Sequence, residues 1–334
     1  MNQMIEDAVK LVKDSDWKSF CISTIISKKK LAQEESPWDS DFTSPESIKN
    51  SVNFEIVSEL RKKLDIPYDA VNGDGRIVFD FSSSRVFLKY EPIFVFGRYK
   101  KFSRELSQTR WICRKCSGKG CKSCEGKGKN YVSVEELIGE VFKKQTKCSE
   151  YFMHSSGRED VDALNTAGRP FILELKEPKQ RNIDFEKLIF DERISISDFK
   201  ITKRSSIELV SSSHFDKEYE AEIEFENDIS DSDVEKLESI EGKILQQKTP
   251  NRVIHRRADI IRKRKIKKLK IKEKDKRKIT ILLTAEPGTY IKEFISGDEG
   301  RTVPNISSEL NNPAKCTKLS VTRIDDDFLK ILGL

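Results

Sequence analysis

The sequence predicts an α+β protein in two parts, joined by a cysteine-rich knuckle. Three observations carry this: helical patterning followed by aromatic-rich strands up to about residue 100, four cysteines spaced as two CxxC pairs, and a second half that opens on a capped helix and continues mainly in strands. With 334 residues the chain is long enough for two or three domains, each with its own core. It is 36% hydrophobic and 35% charged, and no run approaches the roughly 20 apolar residues of a bilayer span. The segment Met1–Asp7 lacks the basic and apolar regions of a secretory signal, so the chain is expected in the cytoplasm, with reduced thiols.

Residues 1 to about 65 read as helical, with Ile5, Val9, Leu11 and Val12, then Ile56, Val57, Leu60 and Leu64, at helical spacing. Loop signals at Ser36-Pro37-Trp38 and Thr43-Ser44-Pro45 interrupt them. Asn72-Gly73-Asp74-Gly75 marks a turn. Strands are expected at Ile77–Phe81, Arg85–Tyr90 and Ile93–Phe96, forming a compact α/β module with the preceding helices. Basic residues Arg98, Lys100, Lys101 and Arg104 follow the last of them.

Cys113, Cys116, Cys121 and Cys124 come next, with glycines between the pairs. Two CxxC knuckles let four thiolates converge on one tetrahedral zinc ion, and a filled coordination sphere makes the site structural. The metal would hold a segment with too little apolar content to fold alone. Cys21, Cys148 and Cys316 lack partners at ligand spacing.

Ser133 with Glu136 forms a capping box opening a helix that carries Leu137, Ile138, Val141 and Phe142 on one face. The loop Gly157–Ala163 then sets acidic groups beside Arg158 at a glycine turn, ahead of a strand-like run Arg169–Leu175. A carboxylate on a loop held against a strand is suited to nucleophilic or acid/base attack, although most aspartates beside glycine only shape turns. Lys217–Phe225 alternates as a strand, and Ser232 with Glu235 suggests a second capping box for a helix to about Ile240.

Net charge is only +6, from 62 basic and 56 acidic residues, but it is unevenly spread. Lys and Arg crowd Arg256–Lys278, whereas acids concentrate in Glu218–Glu241. Such a stripe is the footprint of a polyanion. Leu269 and Ile271 before the charged turn, with Ile279, Ile281 and Leu283 after it, indicate a hairpin arm over 256–285 able to lie along a phosphate backbone.

Four stretches together, Gly97–Trp111, Ser156–Asp162, Gln247–Arg257 and Gly288–Thr302, resemble the archaeal and eukaryotic tRNA pseudouridine synthases that modify T-loop positions 54 and 55, the archaeal branch most closely. The resemblance spans roughly residues 90–325. It is weakest over the first sixty residues, where the family carries a further CxxC pair and this sequence has only Cys21. It implies a THUMP-like RNA-binding module over 1–110, a zinc knuckle over 111–130, and a catalytic domain over 131–334 with a mixed, mainly antiparallel central sheet flanked by helices. It further implies an isomerase that needs no organic cofactor, acts on the elbow of tRNA, and works as a monomer.

By the same resemblance Asp160 attacks the target ribose, in an Arg-x-Asp loop that includes Arg158. Asp162 is left to loop structure. Lys292 is the cation keeping Asp160 ionised in a dry pocket, with Ile291 beside it. Tyr219 stacks on the uracil and shuttles the C5 proton, and Leu319 closes the apolar wall. Tyr290 supports them. His255, Arg256, Arg257, Arg262, Lys263 and Arg264 face RNA. A triad using His154, His214 or His255 is unsupported, since no nucleophile motif accompanies them. Two rival readings share some of these features. One is a non-catalytic, zinc-containing RNA-binding protein. The other rests on the likeness of the CxxCxGxG repeats to those of J-domain co-chaperones, which carry more repeats and a His-Pro-Asp module not found here.

Overall fold

The computed structural model describes residues 1–27 and 47–333, so the expected loops at Ser36-Pro37-Trp38 and Thr43-Ser44-Pro45 lie outside the described residues. Two compact units are distinguished. The first comprises Met1–Phe94 with Glu140–Phe152 and Glu174–Leu188, and the second comprises Val95–Gly139, Met153–Leu173 and Ile189–Leu334.

In the first unit, helix Asn2–Lys13 buries Met4, Ile5, Ala8, Val9 and Val12 along one stripe, and Lys10 and Lys13 in its last turn complement the helix dipole. Helix Ile48–Lys63 is capped by Ser47, whose side chain accepts from the Asn50 amide. These helices pack with strands β1 (Phe20–Ile25), β2 (Gly75–Asp80) and β3 (Arg85–Tyr90) around Trp17, Phe20, Ile56, Leu60, Ile77 and Phe79. The expectation that residues 1 to about 65 are helical between loops fails at β1. This strand is buried on both faces and lies parallel to β2, fifty-odd positions away, so neither alternation nor a hairpin turn marks it in the sequence. A second departure follows at β4 (Ile93–Lys101). It was expected as the third strand of this module, but it joins the large sheet instead.

That sheet contains β5 (Glu150–Ser155), β6 (Ala163–Lys176), β7 (Ile194–Thr202), β8 (Lys217–Phe225), β9 (Ile244–Lys248), β10 (Ile261–Lys274), β11 (Lys278–Ala285), β12 (Thr302–Val303) and β13 (Ala314–Ile324) along with β4. The order is β12-β9-β10-β11-β8-β13-β6-β4-β7, with β5 paired to β6. Neighbours from β12 through β13 are antiparallel, and β13 runs parallel to β6, so the sheet is mixed and mainly antiparallel as expected. Its core takes alternate residues of β8 (Tyr219, Ala221, Ile223, Phe225) and β11 (Ile279, Ile281, Leu283, Ala285), covered by Phe294, Ile295 and Ile306.

The basic hairpin exists, with Leu269 opposite Leu283 and Ile271 opposite Ile281. It is no free arm, however. β11 pairs along its length with β8, and β9 pairs with β10 over Ile261–Lys265 just before the hairpin, so the hairpin is part of the sheet rather than a protruding ribbon. The Ser133–Glu136 capping box is present at the head of helix Val134–Thr146, with the Glu136 amide donating to Ser133 Oγ at 3.2 Å. The second box sits two residues earlier than expected: Ser230 and Asp233 cap helix Asp231–Glu238 reciprocally. Both Ser230 and Ser232 have an acidic residue three positions on, so local sequence fits either one. Among the described residues no helix is long and apolar enough to cross a membrane.

Truncating Ile281, fully buried at the sheet centre, is expected to cost about 2–5 kcal/mol. Ser230→Ala is expected to cost only about 1 kcal/mol, the loss of one cap. Urea unfolding midpoints of the two variants check this order.

Candidate active site

The site is built from below, on the loop linking β5 to β6. Gly157 turns this loop at φ +77°, and a Cβ there would lie 3.1 Å from an Arg169 nitrogen beneath it. Arg169 rises from β6 with its side chain only 1% exposed. One guanidinium nitrogen donates to the Ser156 carbonyl at 2.6 Å, and Nε lies 2.5 Å from Glu159 Oε2, itself on a side chain 1% exposed. Tyr99 donates its hydroxyl to Glu159 Oε1 at 2.6 Å. Gln108 donates to both the Tyr99 oxygen and the Gly157 carbonyl, at 2.9 and 3.0 Å. Burial opposes the charge on Arg169, but the neighbouring Glu159 more than restores it and raises the guanidinium above its ordinary value. Burial, then the Glu159 charge, pushes the Tyr99 phenol well up.

With Glu159 fixed inward, Asp160 faces a cleft of about 480 Å³. Its Oδ1 accepts from Arg252 at 2.8 Å, and Arg252 Nε also donates to the buried Glu293 at 2.6 Å. Lys292 Nζ stands 3.5 Å from Asp160 Oδ2 but donates to both Asp162 oxygens at 2.7 Å. Two expectations therefore change. The nearest cation to Asp160 is Arg252, and Lys292 is held chiefly by Asp162, which does more than shape the loop. Burial alone would raise the Asp162 carboxyl, yet the Lys292 hydrogen bond and charge carry it below its usual range. Nor is the pocket dry, because the Asp160 side chain is 30% exposed.

Arg158, Tyr219, Ile291, Lys292, Leu319 and Tyr290 line this cleft with Asp160, as do Arg257, Arg262 and Arg264. Tyr219 on β8 and Leu319 on β13 supply the buried wall. Burial pushes the Tyr219 phenol up to about 12, so it stays protonated throughout the working range. Arg257 donates to the Tyr290 hydroxyl at 3.0 Å. Arg262 donates to Thr249 at 2.9 Å. Lys263 and His255 are exposed and outside the lining, and the Arg256 side chain lies outside the described residues.

Sequence reasoning missed Arg252, Glu159, Arg169, Tyr99 and Gln108. An arginine at the head of the largely apolar run Arg169–Leu175 was a readable sign of a buried partner. Arg252 carried no such sign among its basic neighbours.

Cys113, Cys116, Cys121 and Cys124 converge with all four sulfurs within 4.8 Å of one another. Pairs separated by 3.9, 3.8 and 3.8 Å match the edge of about 3.8 Å for a tetrahedron with Zn–S near 2.3 Å. Backbone amides of Gly120 and Gly128 donate to Cys116 and Cys124 Sγ at 3.2 Å each, the support that thiolates receive in such knuckles. A side chain at residue 120 would come 2.6 Å from the Gly126 carbonyl oxygen, so the turn needs glycine there. The donor set fits one metal ion.

The family described as "Pus10, C-terminal" matches residues 94–325. The protein named "tRNA pseudouridine synthase Pus10" of Methanocaldococcus jannaschii is 37% identical, over 98% of this chain and 73% of its own length. Its namesake in Methanothermobacter marburgensis is 41% identical over 84% of this chain and 72% of that one, and the one in Methanosphaera stadtmanae 34% over 96% and 84%. The chain belongs to the Pus10 family.

Glu159→Gln and Arg169→Met should each cost about 3–5 kcal/mol, since each strands a buried charge. The double variant should cost clearly less than the sum of the two. Chemical denaturation of all three checks this, and additive losses would mean the pair is not coupled.

Proposed function

We propose, with that family membership as premise, that the protein is a tRNA pseudouridine synthase, an isomerase, and that Asp160 is its catalytic residue. The single observation carrying this is the placement of Asp160 at the head of a nucleotide-sized cleft, between two cations and facing the Tyr219–Leu319 wall. The reaction breaks the C1′–N1 bond of uridine and joins C1′ to C5. The C5 proton is lost and N1 gains one, so no atom is exchanged overall. Arg252 and Lys292 hold the Asp160 carboxylate from either side and aim it at the sugar carbon. Tyr219, a neutral phenol, stacks its ring on the detached base and passes the C5 proton on through its hydroxyl. Ile291 and Leu319 exclude water once a base fills the cleft.

The target is a T-loop uridine, position 54, 55 or both, splayed out at a cost of roughly a few kcal/mol. Arg158, Arg257, Arg262 and Arg264 receive the flanking backbone within the cleft, and His255, Arg256 and Lys263 extend that surface outside it. The first unit acts as a THUMP-like RNA-binding module. Zinc fills the four-cysteine knuckle and supplies structural stability alone. The enzyme works as a monomer in the cytoplasm.

Asp160→Asn and Asp160→Ala should bind an unmodified tRNA transcript with Kd within about threefold of wild type and form no pseudouridine at either T-loop position, since the charge acts on the reacting sugar. Position-by-position pseudouridine mapping reads this out. Full product from both variants overturns the assignment of Asp160, and no product from wild type leaves the non-catalytic RNA-binding reading. Cys116→Ser should lower bound zinc, measured by elemental analysis, from about one ion per chain and bring the thermal midpoint down with it.

A further inference from the structure

Among the groups that the reaction leaves unused, Lys101 is the most unusual. It ends β4, is 0% exposed, and makes no ion pair with any described carboxylate. Its ammonium instead donates to three backbone carbonyls: Leu106 at 3.0 Å, Asp160 at 3.0 Å and Val161 at 2.9 Å. An ammonium has three N–H donors and no acceptor, so this cage is fully satisfied by the charged form. A neutral amine has two donors and a lone pair, and the lone pair would face a carbonyl oxygen. We propose that Lys101 is a positioning residue for catalysis: its buried ammonium grips the peptide of Asp160 and fixes where the carboxylate points.

The grip complements the other anchors. Arg169 and Glu159 hold the loop up to residue 159, and Arg104 donates to the Asp162 carbonyl at 2.6 Å and to Leu319 at 3.0 Å. Only Lys101 holds the peptides of residues 160 and 161 among these. Side-chain contacts from Arg252 and Lys292 can then reorganise around an arriving ribose while the backbone stays in register.

Lys101 is faced by Glu159, Asp160 and Asp162 from the loop and by Arg169 from β6. Burial dominates these charges and lowers the ammonium to about 8. The signs for stability and activity are opposite. Between that value and the higher value of an unfolded lysine, the unfolded chain binds the proton and the native one does not, so this group makes the fold more stable as pH rises. Activity should fall over the same interval as the clamp loses a donor. Lys217, near Gly157, is lowered to about 8 by burial too, so a wild-type profile alone does not separate the two lysines.

The inference rests on Asp160 being the catalytic residue. The test is single-turnover pseudouridine formation with saturating unmodified tRNA transcript, from about pH 7 to about pH 9, on wild type, Lys101→Met, Lys101→Arg and Asp160→Asn, with tRNA affinity and melting temperature at each pH. Lys101→Met should slow the reaction by about 10- to 100-fold with tRNA Kd within about threefold. The wild-type rate should fall above about pH 8 without a parallel fall in melting temperature, and Lys101→Arg, which stays charged, should lose that alkaline fall. A folded Lys101→Met at wild-type rate, or a Lys101→Arg profile that keeps the alkaline fall, overturns the proposal. Should Lys101→Met fail to fold, the wild-type and Lys101→Arg profiles decide it. An active Asp160→Asn instead overturns the catalytic reading, whatever the Lys101 variants do.

Discussion

The ion pair between Glu159 and Arg169 is the constraint on which the site depends. Both side chains are almost wholly out of water, and pairs of this kind repay their desolvation poorly compared with an apolar core. What the pair delivers is direction. It draws Glu159 under the loop, and the next residue, Asp160, then faces the cleft. Tyr99 holds the other Glu159 oxygen, and Gln108 in turn donates to the Tyr99 oxygen, which leaves the carboxylate little freedom to rotate.

Above this foundation the charges are divided by role. Arg252 is shared between Asp160 and the buried Glu293, and Lys292 between Asp160 and Asp162. Each cation therefore has a second acid that holds it in place should Asp160 turn away. A carboxylate served by cations with fixed second partners is oriented without being sealed in a salt bridge of its own. The sheet makes this possible. β8 and β13 are neighbours, so Tyr219 and Leu319 share a wall, and β13 pairs with β6 where the Asp160 loop ends.

Much of this was legible in the sequence where the signal is local. Cysteine spacing marked the knuckle, alternation marked β8 and β11, and the glycine turn with its aspartates marked the loop that brings Asp160 to the cleft. The misses share a cause: each depends on partners distant in the chain. β1 is defined by parallel pairing with β2, and β4 by the sheet it joins, and neither fact is written in its own residues. Ser230 and Ser232 compete for one cap with the same local pattern. Arg252 sits among several basic residues, and only the fold brings it, rather than its neighbours, to Asp160. Glu159 stands next to Asp160 with no local sign of its burial, and only the fold separates the two, at 1% against 30% exposed.

The basic stripe shows how composition and structure divide the work. As sequence, Arg256–Lys278 reads as a polyanion-binding arm of uniform purpose. In the fold, Lys267, Lys272 and Lys274 pair with Asp216, Glu220 and Asp231, the last two from the acidic stretch that had looked like a separate feature. Exposed pairs of this kind contribute little to stability, but they neutralise field at the middle and tip of the hairpin. The arginines lining the cleft, Arg257, Arg262 and Arg264, have no carboxylate partner within ion-pair distance among the described residues; they donate to neutral oxygens instead. These three arginines thus leave their charge uncompensated by acids at the cleft, beside the apolar Tyr219–Leu319 wall. What reads as one uniform stripe is thus divided by the fold between acid-paired lysines on the hairpin and acid-free arginines at the Asp160 cleft.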